Sequence, residues 1–174
     1  MLYLIVCLIN GNAKDFHHHL VEDVCQRFNV KRQRLQSHIT LKAPFKIKDL
    51  TQIEEITETF CLNHKASSFT MSGYNHFNEK VIYMDIHPSV DTIKNCEEYK
   101  NLLRNIEEIE WKRNESGRHK FHCTIVSKLN KNIYKDIWTY VNQYPYSFDC
   151  SFDNITIMVL DKDGWNVKKS YKLQ

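Results

Sequence analysis

The 174-residue sequence predicts an α+β fold in which helices alternate with mainly antiparallel strands. Strand-length apolar runs alternate with segments whose apolar residues recur every three to four positions, which is typical of amphipathic helices. Some neighbouring strand-like runs are separated only by short turn signals, as in hairpins. The second half of the chain nearly repeats the element order of the first and lacks only its opening strand. We therefore expect a bilobal molecule whose halves are related by a pseudo-twofold.

The first half of the chain contains six predicted elements. It opens with a continuous apolar, β-branched-rich run, which indicates a buried strand. A helix with apolar residues every four positions follows, and then a strand that alternates polar and apolar side chains. A second helix has two candidate N-caps, Asp49 and Thr51, and precedes a hairpin. The elements are expected at 2–9 (strand), 13–28 (helix), 37–45 (strand), about 50–64 (helix), and 69–77 with 80–87 (hairpin).

The second half contains two helices and three strands by the same criteria. A polar stretch that contains Gly117 predicts a loop over 111–118. The sequence Asp-Lys-Asp-Gly at 161–164 predicts a tight turn before the closing strand. The elements are expected at about 91–109 (helix), 120–129 (strand), 132–144 (helix), 148–160 (strand) and 165–173 (strand).

Composition excludes several classes of protein. With 42% hydrophobic and 26% charged residues, the chain is neither collagen-like nor disordered. No linker rich in Gly, Pro or Ser divides it, so we expect 1–174 to form one domain of two intertwined lobes.

Six scattered cysteines without a CxxC pair indicate buried thiols in a reducing cytoplasm. No apolar run approaches the roughly 20 residues of a membrane span, so we expect no membrane partner.

Two histidines are each followed by a threonine two positions later on a predicted strand. The motifs are His38-Ile39-Thr40 and His122-Cys123-Thr124. Because side chains alternate along a strand, each histidine shares a face with its threonine. The motifs also occupy corresponding places in the two halves. A pseudo-twofold would therefore line one groove with both pairs.

Two imidazoles on either side of one phosphorus atom suit acid–base cleavage of a phosphoester. One neutral imidazole removes a proton from the attacking oxygen, and the other, protonated, donates one to the leaving oxygen. Threonine hydroxyls can donate to the non-bridging phosphate oxygens. This scheme requires no metal, and we expect no cofactor. The alternative is a pair of histidines on half-exposed strands without chemistry.

The motifs resemble those of the 2H phosphoesterase superfamily, also called the 2′-5′ RNA ligase-like family. Its signature is two His-x-Thr-x motifs flanked by hydrophobic residues, which residues 37–41 and 121–125 match. The spacing of 84 residues and the chain length are most similar to the short bacterial branch. The resemblance implies two antiparallel sheets around a central cleft with helices outside. It also implies metal-independent attack on 2′,3′-cyclic phosphates or 2′-5′ linkages, with His38 and His122 as acid–base pair and Thr40 and Thr124 as phosphate-binding hydroxyls.

Several other residues are candidates for the site. Lys42 and Lys120 have the strand parity of the motif histidines and are candidates for substrate contact. Three histidines at 17–19 lie about 100° apart on a helix and cannot converge on one ion, so we expect a solvated helix face. Four aromatic residues could stack on a base but are more typical of the core: Phe45, Tyr83, Trp165 and Tyr171.

The net charge of +3 is unevenly distributed along the chain. Residues 24–48 carry +7 and residues 111–135 carry +6, so the rest of the chain carries −10. Each basic window contains one histidine motif. We therefore expect a basic mouth on an acidic body that attracts a phosphate-bearing substrate; the alternative is two solvated basic faces.

The leading hypothesis is a cyclic phosphodiesterase acting on an RNA end or a small nucleotide with a cyclic phosphate. We expect a cytoplasmic monomer with no protein partner. Two alternatives remain open. The first is a non-catalytic RNA- or nucleotide-binding module that uses the same cleft, and the second is a structural protein without a ligand.

Overall fold

The computed structural model describes residues 1–115 and 117–174. Four helices and eight strands follow one another within these residues, and a short 3-10 turn occupies Arg113–Glu115. In chain order they are β1 (Leu2–Leu8), α1 (Gly11–Phe28), β2 (His38–Lys46), α2 (Thr51–Asn63), β3 (Ser67–Phe77), β4 (Val81–Pro88), α3 (Val90–Arg104), β5 (His122–Val126), α4 (Lys131–Val141), β6 (Ser147–Phe152), β7 (Asn154–Asp161) and β8 (Gly164–Lys172).

The strands form two four-stranded antiparallel sheets, which confirms the predicted α+β class. Sheet A has the order β2-β1-β7-β8, and sheet B has the order β5-β4-β3-β6. In each sheet the strand that carries a histidine motif lies at one edge, beside the strand that precedes it through a helix. The two sheets thus repeat one arrangement, and each motif lies at a sheet edge.

The predicted strand 148–160 is wrong, because the chain changes sheets within it. β6 pairs with β3 in sheet B, whereas β7 pairs with β1 in sheet A. Asp153 separates the two strands. The burial pattern changes at the same point: β6 alternates between exposed and partly buried residues, and β7 begins with five consecutive buried ones. An edge strand with one covered face explains the first pattern, and a central strand explains the second.

Three predicted elements end at least three residues earlier than expected, among them α4, which ends at Val141 rather than at 144. Helix α3 ends at Arg104, and the chain continues in turns that place Ile106 and Ile109 in the core. Apolar spacing therefore continues beyond the end of the helix. Strand β5 ends at Val126, shortly before Lys128 adopts a left-handed φ of 58°. That conformation cannot continue an extended strand.

The main core lies between the helices and one face of each sheet, and it includes Tyr3, Ile5 and Cys7 of β1. A smaller apolar cluster occupies the opposite face of sheet A, where Leu4, Val6 and Met158 pack under partly buried neighbours that include Leu35 and Trp165.

Most of the aromatic residues and cysteines that the sequence predicts to be buried are buried in the structure. Phe45, Tyr83 and Tyr171 are buried, as expected of core aromatics, and Trp165 is partly buried. All six cysteines are free thiols, four of them buried. None of the helices within the described ranges combines the length and apolar character that crossing a bilayer requires.

Candidate active site

The two histidine motifs lie side by side where the sheets meet. β2 and β5, the edge strands of the two sheets, contact each other. Burial raises the pKa of the Cys123 thiol to about 12, and a hydrogen bond from the backbone N–H of His38 opposes the rise. The first residue of one motif therefore touches the middle residue of the other.

Both motif imidazoles are held in the same way by the main chain. His38 Nδ1 lies 2.7 Å from the carbonyl oxygen of Gln36, and His122 Nδ1 lies 2.7 Å from that of Lys120. A carbonyl oxygen only accepts, so each Nδ1 carries the hydrogen. In the neutral form Nε2 then has a free lone pair, and in the charged form it has a proton to give. Each ring is thereby prepared for proton exchange through Nε2.

A β-bulge follows the threonine in both motifs. The register between β2 and β1 shifts directly after Thr40, where Leu41 is the extra residue. The register between β5 and β4 shifts directly after Thr124, where Ile125 is the extra residue. A bulge changes which face the following side chains occupy. The simple alternation assumed from the sequence therefore ends at each threonine.

The bulge explains why Lys42 lies away from the face on which the sequence predicts a substrate contact. Lys42 is buried, with 1% of its surface exposed, and leaves the face of His38 and Thr40. Its Nζ donates to both carboxylate oxygens of Glu115, at 3.0 Å each, and to the carbonyl oxygen of Ala43 at 3.2 Å. An ammonium has three N–H donors, so these three acceptors leave none for a phosphate.

Glu115 is the acidic partner in this contact and joins the loop before β5 to β2. Burial works against ionisation of its carboxyl group, but donors from the Lys112 backbone, Lys42 Nζ and the Ala43 backbone outweigh burial and lower the pKa. The ion pair therefore connects the strand of the first motif with the loop that leads to the second.

Lys120 lies just before β5 and outside the strand, so strand parity does not apply to it. Its side chain is half-exposed, and its Nζ lies 3.8 Å from Asp85 Oδ1. The lysine carbonyl oxygen accepts from His122, as described above. Substrate contact by its ammonium stays a prediction.

The surroundings of the two motif imidazoles differ in charge. Burial lowers the pKa of His38 to about 4, and the nearby charges of His17 and His122 lower it further, against the effect of the Gln36 carbonyl. Burial also lowers the pKa of His122, and the Lys120 ammonium lowers it further, whereas the Lys120 carbonyl oxygen and the Asp85 carboxylate act in the opposite direction. Both imidazoles thus have cationic neighbours, but only His122 also has a carboxylate among the charges that act on it, and this carboxylate favours its charged form.

The motif threonines have hydroxyls available to a ligand. Thr40 and Thr124 are both partly buried. Within residues 1–115 and 117–174, neither hydroxyl has a hydrogen-bond partner. Aromatic rings line the second motif, since Phe77 and Tyr83 lie 5.0 and 5.2 Å from the His122 ring centroid.

His17 is a site residue that the sequence reasoning missed. The predicted solvated face of residues 17–19 is correct for His18 and His19, which are exposed, but wrong for His17, which is buried. His17 Nε2 donates to the carbonyl oxygen of Thr124 at 2.8 Å. The helix after β1 therefore contacts the second motif directly.

A signal for His17 was present in the helix spacing. Ala13, His17, Val21 and Val24 recur at intervals of three and four and are the buried residues of one helix face, together with Leu20. Treating the three histidines as a unit concealed this periodicity. No group of three or more His, Cys, Asp or Glu side chains suited to a metal ion occurs among the residues that the structure describes.

A family model identifies the family of this chain, and solved structures share its fold. A model of the 2′-5′ RNA ligase superfamily matches residues 12–164. The sequence has no match among curated proteins. Similar solved structures include TT0787 of Thermus thermophilus, with a TM-score of 0.69 and 11% identity over 99% of this chain and 98% of that one.

Two further structures have related folds at equally low sequence identity. E. coli LigT, crystallised with 3′-AMP, has a TM-score of 0.66 and 11% identity over 99% of this chain and 97% of that one. Usb1 of Kluyveromyces marxianus has a TM-score of 0.51 and 11% identity over 99% and 98%. These likenesses show a shared fold. Because the family model spans all but eleven residues at the start and ten at the end, the chain belongs to the 2′-5′ RNA ligase superfamily, and the resemblance to 2H phosphoesterases is confirmed.

Proposed function

We propose that the chain is a phosphoesterase that hydrolyses a 2′,3′-cyclic phosphate, or a related 2′-5′ phosphodiester, at an RNA end or in a small nucleotide. One observation carries the proposal. Two imidazoles on adjoining edge strands are fixed identically through Nδ1, so that each has Nε2 for proton transfer. Membership of the family supports this use of the site.

His38 acts as the general base in the proposed reaction. Its low pKa keeps it neutral near pH 7, so Nε2 accepts a proton from the attacking water. The water oxygen forms a bond to phosphorus, and the bond to the 2′ or 3′ oxygen breaks. The product is a phosphomonoester with a free neighbouring hydroxyl.

His122 acts as the general acid and gives its Nε2 proton to the leaving oxygen. Asp85 favours the charged imidazole, and a bound phosphate adds negative charge that raises the pKa of His122 further. The unpartnered hydroxyls of Thr40 and Thr124 donate to the non-bridging oxygens as charge develops there. After the reaction His38 carries the proton taken from water, and His122 has lost the proton given to the leaving oxygen. Proton exchange with solvent then restores neutral His38 and charged His122.

The bound nucleotide in one similar structure fits this substrate class. LigT was crystallised with 3′-AMP, a nucleoside 3′-monophosphate. Opening a 2′,3′-cyclic phosphate at its 2′ bond yields a group of this kind. The proposed product is therefore of the same chemical class as that ligand.

Hydrolysis of adenosine 2′,3′-cyclic phosphate and of a short RNA with a cyclic end, followed by chromatography, tests the proposal. We expect His38→Ala and His122→Ala each to lower kcat by at least about 100-fold, the scale of general acid–base catalysis. His19→Ala is the matched control, because His19 is an exposed histidine on α1. EDTA should leave the rate unchanged. Full activity in both variants contradicts the proposed roles, and tight binding without product identifies a binding module instead.

A further inference from the structure

A cationic cavity of about 440 Å³ lies beside the first motif, between α1 and the chain that leads into β2. We call residues 31–36 the basic segment, because it contains Lys31, Arg32 and Arg34. Five of the ten lining residues are basic or histidine: Lys14, His17, His18, Arg32 and Arg34. Among the described residues, no aspartate or glutamate lines the cavity.

The wall formed by the basic segment is held in place at several points. Gln33 Nε2 donates to Ser127 Oγ at 2.7 Å, just beyond β5. Leu35 packs on the small apolar cluster of sheet A. Arg32 donates to Glu22 Oε1 at 2.8 Å and to His18 Nδ1 at 3.1 Å. The segment is therefore a fixed wall of the cavity, anchored to α1, to sheet A and to the end of β5.

Two of the cations have no counter-charge. Within residues 1–115 and 117–174, neither Lys14 nor Arg34 forms an ion pair or side-chain hydrogen bond. Arg32 has one carboxylate partner, Glu22, and its charge still acts on His17, where burial is the main cause of a lowered pKa. Uncompensated cations around a cavity favour an anionic ligand.

The cavity shares residues with the candidate active site. Gln36 lines it, and the carbonyl oxygen of Gln36 holds His38. His17 also lines it and donates to Thr124 of the second motif. The cavity therefore shares with each motif one residue that forms a hydrogen bond to it.

We propose that this cavity binds a second phosphate group of the substrate, with Lys14 and Arg34 as its cationic contacts. The proposal rests on the proposed function and extends it, since it defines a substrate that carries a phosphate besides the reactive one. That second group is either the phosphodiester on the 5′ side of a terminal RNA nucleotide or the 5′-phosphate of a free nucleotide. A nucleoside cyclic phosphate with no further phosphate lacks this contact.

Calorimetric binding of three stable probes tests the subsite without requiring turnover. The probes are adenosine 3′-monophosphate, adenosine 3′,5′-bisphosphate and the dinucleotide ApAp with a 3′-phosphate. We expect at least one of the two-phosphate probes to bind about tenfold more tightly than the monophosphate, as expected of a charged hydrogen bond. Which of them gains affinity distinguishes a 5′-phosphate from an RNA phosphodiester.

Substitutions assign the gain to the cavity. We expect Lys14→Gln/Arg34→Gln to abolish the gain in affinity while monophosphate binding is retained. Lys31→Gln is the matched control, because Lys31 is exposed in the same segment and does not line the cavity. Circular dichroism verifies folding, and Arg34→Gln alone serves if the double variant is unstable.

Equal affinity for all three probes, absence of binding, or a gain that survives these substitutions overturns the proposal. The cyclic phosphodiesterase assay is a separate measurement. A protein that hydrolyses cyclic phosphates but shows no gain lacks the subsite. A protein that shows the gain but no hydrolysis retains the subsite and loses the proposed activity.

Discussion

The buried imidazole of His17 donates through Nε2 to the carbonyl oxygen of Thr124, 107 residues further along the chain. This hydrogen bond connects α1, which follows the first strand of sheet A, to an edge strand of sheet B. The charge of His17 also acts on His38. One side chain therefore touches the second motif and influences the first.

We expect His17→Leu to lower kcat about tenfold, because losing one buried hydrogen bond costs roughly 1 kcal/mol or more and releases β5 at Thr124. His17→Gln retains a donor of similar reach and should recover most of the rate. Steady-state kinetics of both variants, with His19→Ala beside them, measure the effect. Equal loss in the Leu and Gln variants contradicts a role for the hydrogen bond.

The pKa values of the two motif histidines predict an acidic optimum for kcat/KM. Activity requires neutral His38, whose pKa is about 4, so the rate falls as the pH drops through that value. It also requires protonated His122, whose pKa is below the ordinary 6.5, so the rate falls again as the pH rises through it. A pH series on free enzyme with dilute substrate should give a bell between these limits. A profile that still rises above pH 7 contradicts the assignment.

Asp85 should set the alkaline limb of that bell. Asp85→Asn removes the carboxylate that favours charged His122, so the pKa of His122 falls further and the limb moves to lower pH. Asparagine keeps an oxygen for the hydrogen bond from the Ile86 backbone N–H, so the local backbone is preserved. The acid limb should stay in place. Asp136→Asn, on the exposed side of α4, is the control, and an unmoved alkaline limb refutes the role of Asp85.

The pair of Lys42 and Glu115 should contribute to stability rather than to turnover. Glu115→Gln leaves a buried ammonium without its counter-charge, at a cost of about 3–5 kcal/mol in the free energy of unfolding at pH 7. Lys42→Met/Glu115→Gln removes both charges and should recover much of that loss. Urea titrations measure the cycle, with Lys46→Gln on the exposed end of β2 as control.

The pH dependence of this pair follows from the lowered pKa of Glu115. A depressed carboxyl pKa stabilises the fold above the ordinary value, and the stabilisation is lost as the pH falls through the folded-state value. The difference between wild type and Glu115→Gln should therefore shrink in acid. A difference that is constant from pH 7 down to pH 3 contradicts the ion pair.

Strand periodicity predicts on which face of its strand each motif histidine and threonine lies. It assigned His38 and Thr40 to one face, and the recurrence of the pattern in both halves predicted that the motifs would adjoin. Periodicity failed at Lys42, because a bulge is set by pairing with the neighbouring strand and leaves no mark in a simple alternation. The tautomer of each motif imidazole likewise depends on a main-chain carbonyl oxygen. Because every residue has one, no sequence pattern indicates which tautomer forms.

The break within 148–160 was visible in principle. Apolar residues alternate up to Phe152, two polar residues follow at 153 and 154, and the apolar positions then continue out of phase from Ile155. This change of phase marks the boundary between the two strands. The role of His17 needed tertiary information, since its acceptor is a main-chain oxygen far away in sequence. Long-range partners of this kind have no local signal.

The exchange of sheets at Asp153 makes the molecule topologically non-local. β1 pairs with β7, and Leu2 faces Leu160, so sheet A closes only when strands more than 150 residues apart in the sequence have met. Such high contact order slows folding, because distant segments must meet before their pairing is rewarded. It also means that neither half can assemble its own sheet, because each sheet takes two strands from each half. A nascent chain on the ribosome therefore cannot complete sheet A until β8 has emerged.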